Sequence, residues 1–278
     1  MHAAASPSPP AAATRWRAPL LLKASAACHL GAAGLAAAVP PLWPWALGAV
    51  VLDHALVTAA GLWPRSTWLG PNLLRLPAAA AARGEVAVTL DDGPDPDVTP
   101  QVLDILDAHG ARATFFCIAE QAARHAPLAR EIVRRGHSVQ NHSLRHRHHF
   151  SVQGPRALRR EIGEAQDRIA QATGQRPTCF RAPAGLRNLF LDPVLHALGL
   201  RLVSWTRRGF DTREADPQTV LARLTQNLAA GDIVLLHDRH GAAMADGRPV
   251  VLQALPLLLA RLRGAGLHAV TLPEALRT

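Results

Sequence analysis

Tyrosine is absent from this 278-residue chain, and with six phenylalanines and six tryptophans the aromatics reach only 4%. Proteins that grip nucleic acid interleave basic residues with aromatics on which bases stack. Too few aromatics are present for that, so the formal net charge of +9 does not read as a nucleic-acid surface. Anionic lipid headgroups or anionic glycans suit it better. Lysine is nearly missing too: Lys23 stands alone, and the remaining positive charge is arginine. Cysteine is scarce. Cys28, Cys117 and Cys179 show no paired spacing, which argues against a cysteine metal site, and Cys117 and Cys179 sit in apolar strand-like runs as expected core thiols.

Long hydrophobic runs are present at one end only. The first stretch, 1–17, is rich in Ala, Ser and Pro and is expected to be disordered. An apolar run from Ala18 to Val39 follows, broken by Lys23, Ser25 and His29, and a second from Leu42 to Trp63 carries Pro44, Asp53 and His54. Each is long enough to cross about 30 Å of hydrocarbon as a helix. Trp43, Trp45, Trp63 and Trp68 lie near the ends of the second run, where an interfacial belt would place them. Residues 18–64 are therefore expected to form a membrane segment of one or two helices. Arg15, Arg17, Arg65 and Arg75 flank the outer ends, so two spans would leave both termini in the cytosol. Asp53 and His54 make the second span the weaker one. A single span would put the rest of the chain outside. The expected location is a bacterial-type inner membrane, with the following domain on the periplasmic face.

After a Pro- and Ala-rich linker at 65–83, strand and helix patterns alternate to the C-terminus, and 84–278 reads as one domain. Seven strands are expected, at 85–90, 113–118, 138–141, 178–181, 200–205, 233–236 and 268–272, which implies a parallel sheet, open or closed into a barrel. The polar residues cluster at strand C-termini. Asp91 and Asp92 follow the first strand, His142 the third, Arg181 the fourth, Asp211 trails the fifth, and His237 with Asp238 follows the sixth. That is the end at which α/β barrels carry their sites.

Glu85 to Leu90 is an alternating, β-branched strand, and Gly93-Pro94 forbids its continuation. Neighbouring residues on a strand point to opposite sides, so Asp91 and Asp92 can face one site only where the backbone turns. An Asx turn capping the next helix is the plain structural explanation. The chemical one needs partners, and the chain supplies them. His142 and His146 are spaced i, i+4, which a helical turn places on one face. With Asp92 they make a two-His, one-carboxylate set for a metal with open positions. Asp91, near a dication and Arg181, would stay ionised and act as base, and His237, with Asp238 beside it and Asp211 one strand earlier, is the candidate acid. Together they describe metal-assisted hydrolysis of an acyl group.

Thr89-Leu90-Asp91-Asp92-Gly93-Pro94, His142-Ser143-Leu144-Arg145-His146, Arg181-Ala182-Pro183-Ala184-Gly185 and Leu235-Leu236-His237 resemble the successive motifs of the polysaccharide deacetylases with NodB homology, carbohydrate esterase family four. The resemblance runs from about Glu85 to Leu276 and leaves out the apolar segment. It implies a distorted (β/α) barrel and a divalent ion, often Zn2+, that serves to remove N-acetyl or O-acetyl groups from a carbohydrate. Carried over by motif, Asp91 is the base, Asp92, His142 and His146 the ligands, His237 the acid and Arg181 the positioner of Asp91. A backbone N–H in the Pro183-Ala184 turn helps hold the oxyanion. Leu90 stands where Phe is usual, Ala184 replaces a common aromatic, and Trp205 to Asp211 follows the fourth motif only loosely, leaving Asp211 as the tuner of His237. A deformylase or deacetylase of a polyprenyl-phosphate-linked sugar, and a non-catalytic glycan-binding protein, are the alternatives.

Overall fold

A computed structural model describes residues 15–277. The expectation of disorder over 1–17 falls almost wholly outside them. Eight strands form one parallel sheet: β1 Glu85–Asp91, β2 Thr114–Cys117, β3 Ser138–Asn141, β4 Cys179–Phe180, β5 Arg201–Leu202, β6 Arg207–Arg208, β7 Ile233–His237 and β8 His268–Val270. The helices are α1 Leu20–Ala38, α2 Trp43–Leu62, α3 Ala78–Ala82, α4 Thr99–Ala108, α5 Ala119–Arg124, α6 Ala126–Arg134, α7 Pro155–Thr173, α8 Leu191–Ala197, α9 Pro217–Thr225, α10 Val251–Gly264 and α11 Leu272–Ala275.

The sheet order is β5-β4-β3-β2-β1-β7-β6, with β8 pairing to the start of β1. Its two edge strands, β5 and β6, are separated in the chain by only residues 203–206. So short a connection cannot span a flat sheet of this width, so the sheet must curl until its edges approach, giving the distorted half-barrel. The seven expected strands are all present. β6 is additional, a two-residue strand of arginines that carries no apolar pattern to read.

Strand parity explains both the core and the site. On β1, Val86, Val88 and Leu90 point outward with Val102, Leu106, Leu255 and Leu258 of the surrounding helices, whereas Ala87 packs inside with Phe116, Ile233 and Leu235. Thr89 and Asp91 share the parity of Ala87 and therefore face the barrel interior. The helix signals hold locally. Asp216 caps α9 by accepting from the N–H groups of Gln218 and Thr219, and Gly174 ends α7 at φ 77°.

At the N-terminal end, α1 and α2 pack as an antiparallel hairpin joined by the turn at Pro40–Leu42. Both helices are long and apolar enough to cross a membrane. Leu20, Leu30, Trp45, Val51 and Leu52 are exposed along them. The end of α2 is joined to the barrel: Arg187 donates its backbone N–H to Gly61 O and its guanidinium to Ser66 O, while Ser204 Oγ donates to Pro64 O. Segment 65–83 lies on the barrel as well. Leu73 bridges Val203, and Leu69, Leu76 and Ala80 are buried.

Candidate active site

Asp91 is the last residue of β1 and sits in register with Phe116 of β2 and His237, the last residue of β7. His142 and Arg181 each follow their strands by one residue, and their backbone N–H groups continue the ladder to Cys117 O and Asn141 O. Parallel register thus brings Asp91, His142, Arg181 and His237 to one rim from positions far apart in sequence. Asp92 joins them because its backbone turns at φ 75°, ahead of the cis Gly93-Pro94 bond.

The Arg181 side chain is 1% exposed and stacks 4.1 Å over the Phe116 ring. It donates to Asp91 Oδ1 at 2.6 Å, to Thr89 Oγ1 at 2.8 Å and to Ser204 O at 3.1 Å. Asp91 Oδ1 is thereby engaged, and Oδ2 lies 3.8 Å from His142 Nε2.

Asp92 Oδ1 is 3.4 Å from Nε2 of both His142 and His146. The i, i+4 pair is not on a helix, contrary to the simple reading of its spacing. Ser143 and His146 have φ of 68° and 53°, and this left-handed loop, tied by Ser143 Oγ accepting from His146 N, brings the rings to 4.9 Å. A metal suits these residues on two observations. Asp92 Oδ1 is buried with no hydrogen-bond partner among the described residues. In addition, His142 Nδ1 faces Arg181 O at 2.8 Å, so it carries the hydrogen and Nε2 turns a lone pair toward Asp92. Burial raises the Asp92 pKa, but the His142 and His240 imidazoles outweigh it and hold the carboxyl far below its usual range. Burial also works against a charged His142, yet Asp91 and Asp92 prevail and its pKa is raised. His146 is lowered to about 4 by burial and by His142.

Across the rim, Asp211 binds His237 twice. It accepts from His237 Nδ1 at 3.0 Å and from the His237 backbone N–H at 2.7 Å. Burial opposes the imidazolium, but Asp211 wins, so the His237 pKa lies above its ordinary value. Ala184 is exposed at φ 53° in the short turn Pro183–Gly185.

Two polar residues at the rim had no assigned part in the site. His240 Nδ1 lies 3.2 Å from Asp92 Oδ2, and no spacing relates residues 148 apart. Asp238, expected only beside His237, turns away from it. Its Oδ2 accepts from Thr99 Oγ1 at 2.5 Å, and a Cβ at Gly93 would collide with its carboxylate. Burial lifts the Asp238 pKa to about 7.

Known proteins resemble the chain at the level of family and fold. The family model described as polysaccharide deacetylase matches residues 78–203, a span holding Asp91, Asp92, His142, His146 and Arg181 but ending before Asp211 and His237. The chain is 31% identical over 213 residues to a peptidoglycan-N-acetylglucosamine deacetylase of Bacillus cereus, covering 76% of this chain and 92% of that one. It is 32% identical over 198 residues to a chitooligosaccharide deacetylase of Azorhizobium caulinodans, covering 69% and 94%. Among solved structures, the family 4 carbohydrate esterase from Streptomyces lividans in complex with acetate superposes with a TM-score of 0.60 at 33% identity, covering 67% of this chain and 91% of that one.

Proposed function

The chain belongs to the polysaccharide deacetylase family, carbohydrate esterase family four, and from that premise we propose that it is a metal-dependent hydrolase removing N-acetyl groups from a glycan built on N-acetylglucosamine. The observation that carries this reading is the pair of adjacent carboxylates held in different ways: Asp91 is bound to Arg181, while Asp92 faces two imidazoles.

Asp92, His142 and His146 would hold a divalent ion, for which Zn2+ suits two imidazoles and a carboxylate. Bound there, the ion supplies Lewis acidity toward the acyl oxygen and the attacking water. Asp91 is the base. Its Oδ1 is occupied by Arg181, so Oδ2 takes the proton from the water as it adds to the acyl carbon. Arg181 holds that carboxylate fixed in rotation. A backbone N–H of the Pro183-Ala184 turn donates to the oxygen that becomes negative. His237 is the acid. Nδ1 carries a hydrogen toward Asp211, so the proton delivered to the leaving amine comes from Nε2. Asp211 stabilises the charged ring before transfer and holds it in place.

The domain division we propose is a hydrophobic segment at 18–64 that anchors the chain in a membrane, a connecting stretch at 65–83 and a catalytic domain at 84–278. Two apolar helices, the contacts of Gly61 and Ser66 with Arg187 after β4, and that of Pro64 with Ser204 after β5 support it. An anchor joined to the barrel at these contacts would hold the catalytic rim at a fixed height over the bilayer.

The test is acetate release from chito-oligosaccharides and from peptidoglycan by the full-length protein, with and without chelation, beside Asp91→Asn and His142→Ala. Acetate release that chelation stops, zinc restores, and both variants lack by about 10²-fold or more is expected. Release unaffected by chelator, or retained by Asp91→Asn, would overturn the assignment.

A further inference from the structure

The apolar hairpin contains a second convergence of metal-binding groups, outside the barrel. His29 lies near the middle of α1, and Asp53 and His54 near the middle of α2. The Nε2 atoms of His29 and His54 are 3.1 Å apart with ring centroids at 5.2 Å, and the ligand atoms of His29, Asp53 and His54 all lie within 4.8 Å of one another. Two nitrogens bound to one tetrahedral zinc at about 2.0–2.1 Å lie roughly 3.3 Å apart, so this spacing needs little adjustment.

The groups behind these atoms orient them as ligands. His29 Nδ1 faces Ser25 O at 2.8 Å. A carbonyl only accepts, so Nδ1 carries the hydrogen and Nε2 presents its lone pair to the cluster. The same device, a backbone carbonyl on Nδ1, orients His142 at the barrel rim. Ser25 acts a second time, its Oγ donating to Asp53 Oδ2 at 2.6 Å and fixing the carboxylate. One serine thus sets both an imidazole and a carboxylate.

Charge gives the reason for an occupant. Asp53 is 9% exposed on a hairpin whose other ionisable residues are Lys23, Cys28, His29 and His54. Among the described residues its ion-pair partner is His29, whose Nδ1 lies 3.7 Å from Asp53 Oδ2, and no lysine or arginine pairs with it. A carboxylate in apolar surroundings is unfavourable unless a cation or donors compensate it. A dication held by one carboxylate and two neutral imidazoles supplies that compensation and cross-links the two helices.

We propose that Ser25, His29, Asp53 and His54 form a second metal site, in which His29 Nε2, His54 Nε2 and the Asp53 carboxylate bind a transition-metal dication such as Zn2+ and clamp α1 to α2. This site is separate from the one assigned to deacetylation and does not depend on it. A bare hydrogen-bonded clamp, with His54 donating to His29, is the competing arrangement.

The experiment is zinc stoichiometry by elemental analysis on the full-length protein in detergent micelles, without a polyhistidine tag, after loading and washing over chelating resin. Two zinc ions per chain are expected. The double variant His29→Ala/His54→Ala should keep one, and His142→Ala/His146→Ala should keep one. If barrel binding fails, the wild type holds one ion that persists in the His142/His146 variant and vanishes in the His29/His54 variant, so the two assignments fail separately. A zinc count unchanged by losing His29 and His54 overturns the proposal. A second measurement does not disturb the hairpin: Co2+ added to the full-length His142→Ala/His146→Ala chain should give visible ligand-field absorption saturating at one equivalent. A colourless titration overturns the proposal as well.

Discussion

Arg181 and Asp91 form a buried pair, Nη1 to Oδ1 at 2.6 Å, in which neither side chain is more than 5% exposed. The guanidinium reaches the carboxylate from β4 across the barrel interior, and it also closes on Thr89 and Ser204. Breaking such a pair from one side leaves an uncompensated charge where water cannot reach it. Arg181→Met should therefore destabilise the chain by about 3–5 kcal/mol. Urea denaturation measures it, and a loss under about 1 kcal/mol would show that Asp91 finds other compensation.

The pairing of His237 with Asp211 sets an alkaline limit. Burial works against the charged ring, but Asp211 outweighs it and raises the His237 pKa, so the ring keeps its proton to higher pH than a free imidazole and loses it as pH rises past the raised value. Activity that needs the protonated ring must fall across that same range. Asp211→Asn removes the charge that raises it, and the alkaline limb of the kcat/KM profile should move to lower pH. An unmoved limb would assign it to another group.

Asp238 makes stability depend on pH in the opposite sense to a surface carboxylate. Its folded pKa near 7 exceeds the ordinary 3.8, so the native state binds the extra proton between those values. The favourable contribution is complete below about 4 and is lost as pH rises toward 7. Asp238→Asn keeps an acceptor for Thr99 Oγ1 without the ionisation, and should flatten the stability curve over that interval. Thermal melts of both proteins from pH 4 to 7 read it directly, with parallel curves as the contrary result.

His240 donates to the Asp92 oxygen that faces away from His142 and His146. Groups that orient a ligating carboxylate typically contribute 10–100-fold to metal affinity. His240→Ala should weaken zinc binding at the barrel rim within that range while sparing the fold. Competition with a chromogenic chelator would detect it, and an unchanged Kd would make His240 a bystander.

Much of the barrel is legible from local pattern. The strand from Glu85 to Asp91 alternates, Gly93-Pro94 ends it, and Thr99-Pro100 opens the next helix, all within reach of nearest-neighbour sterics. Strand β6 escaped because Arg207 and Arg208 have no apolar partner in sequence. The i, i+4 spacing of His142 and His146 was informative for the wrong reason, since a left-handed loop rather than a helix brings the rings together.

The sequence by itself determined which residues end the strands, which faces are apolar, and hence that carboxylates and imidazoles gather at one rim. These follow from periodicity and turn chemistry, which act over a few residues. Only the tertiary structure decided which of those groups touch. Parallel register set Asp91 beside His237 and sent Arg181 across to it, the turn at Asp92 left one oxygen facing two imidazoles, and the pairing of β7 with β1 carried His240 to the other. Hairpin packing likewise brought His29 to His54. Contacts of this kind depend on the packing of whole elements, and no spacing along the chain encodes them.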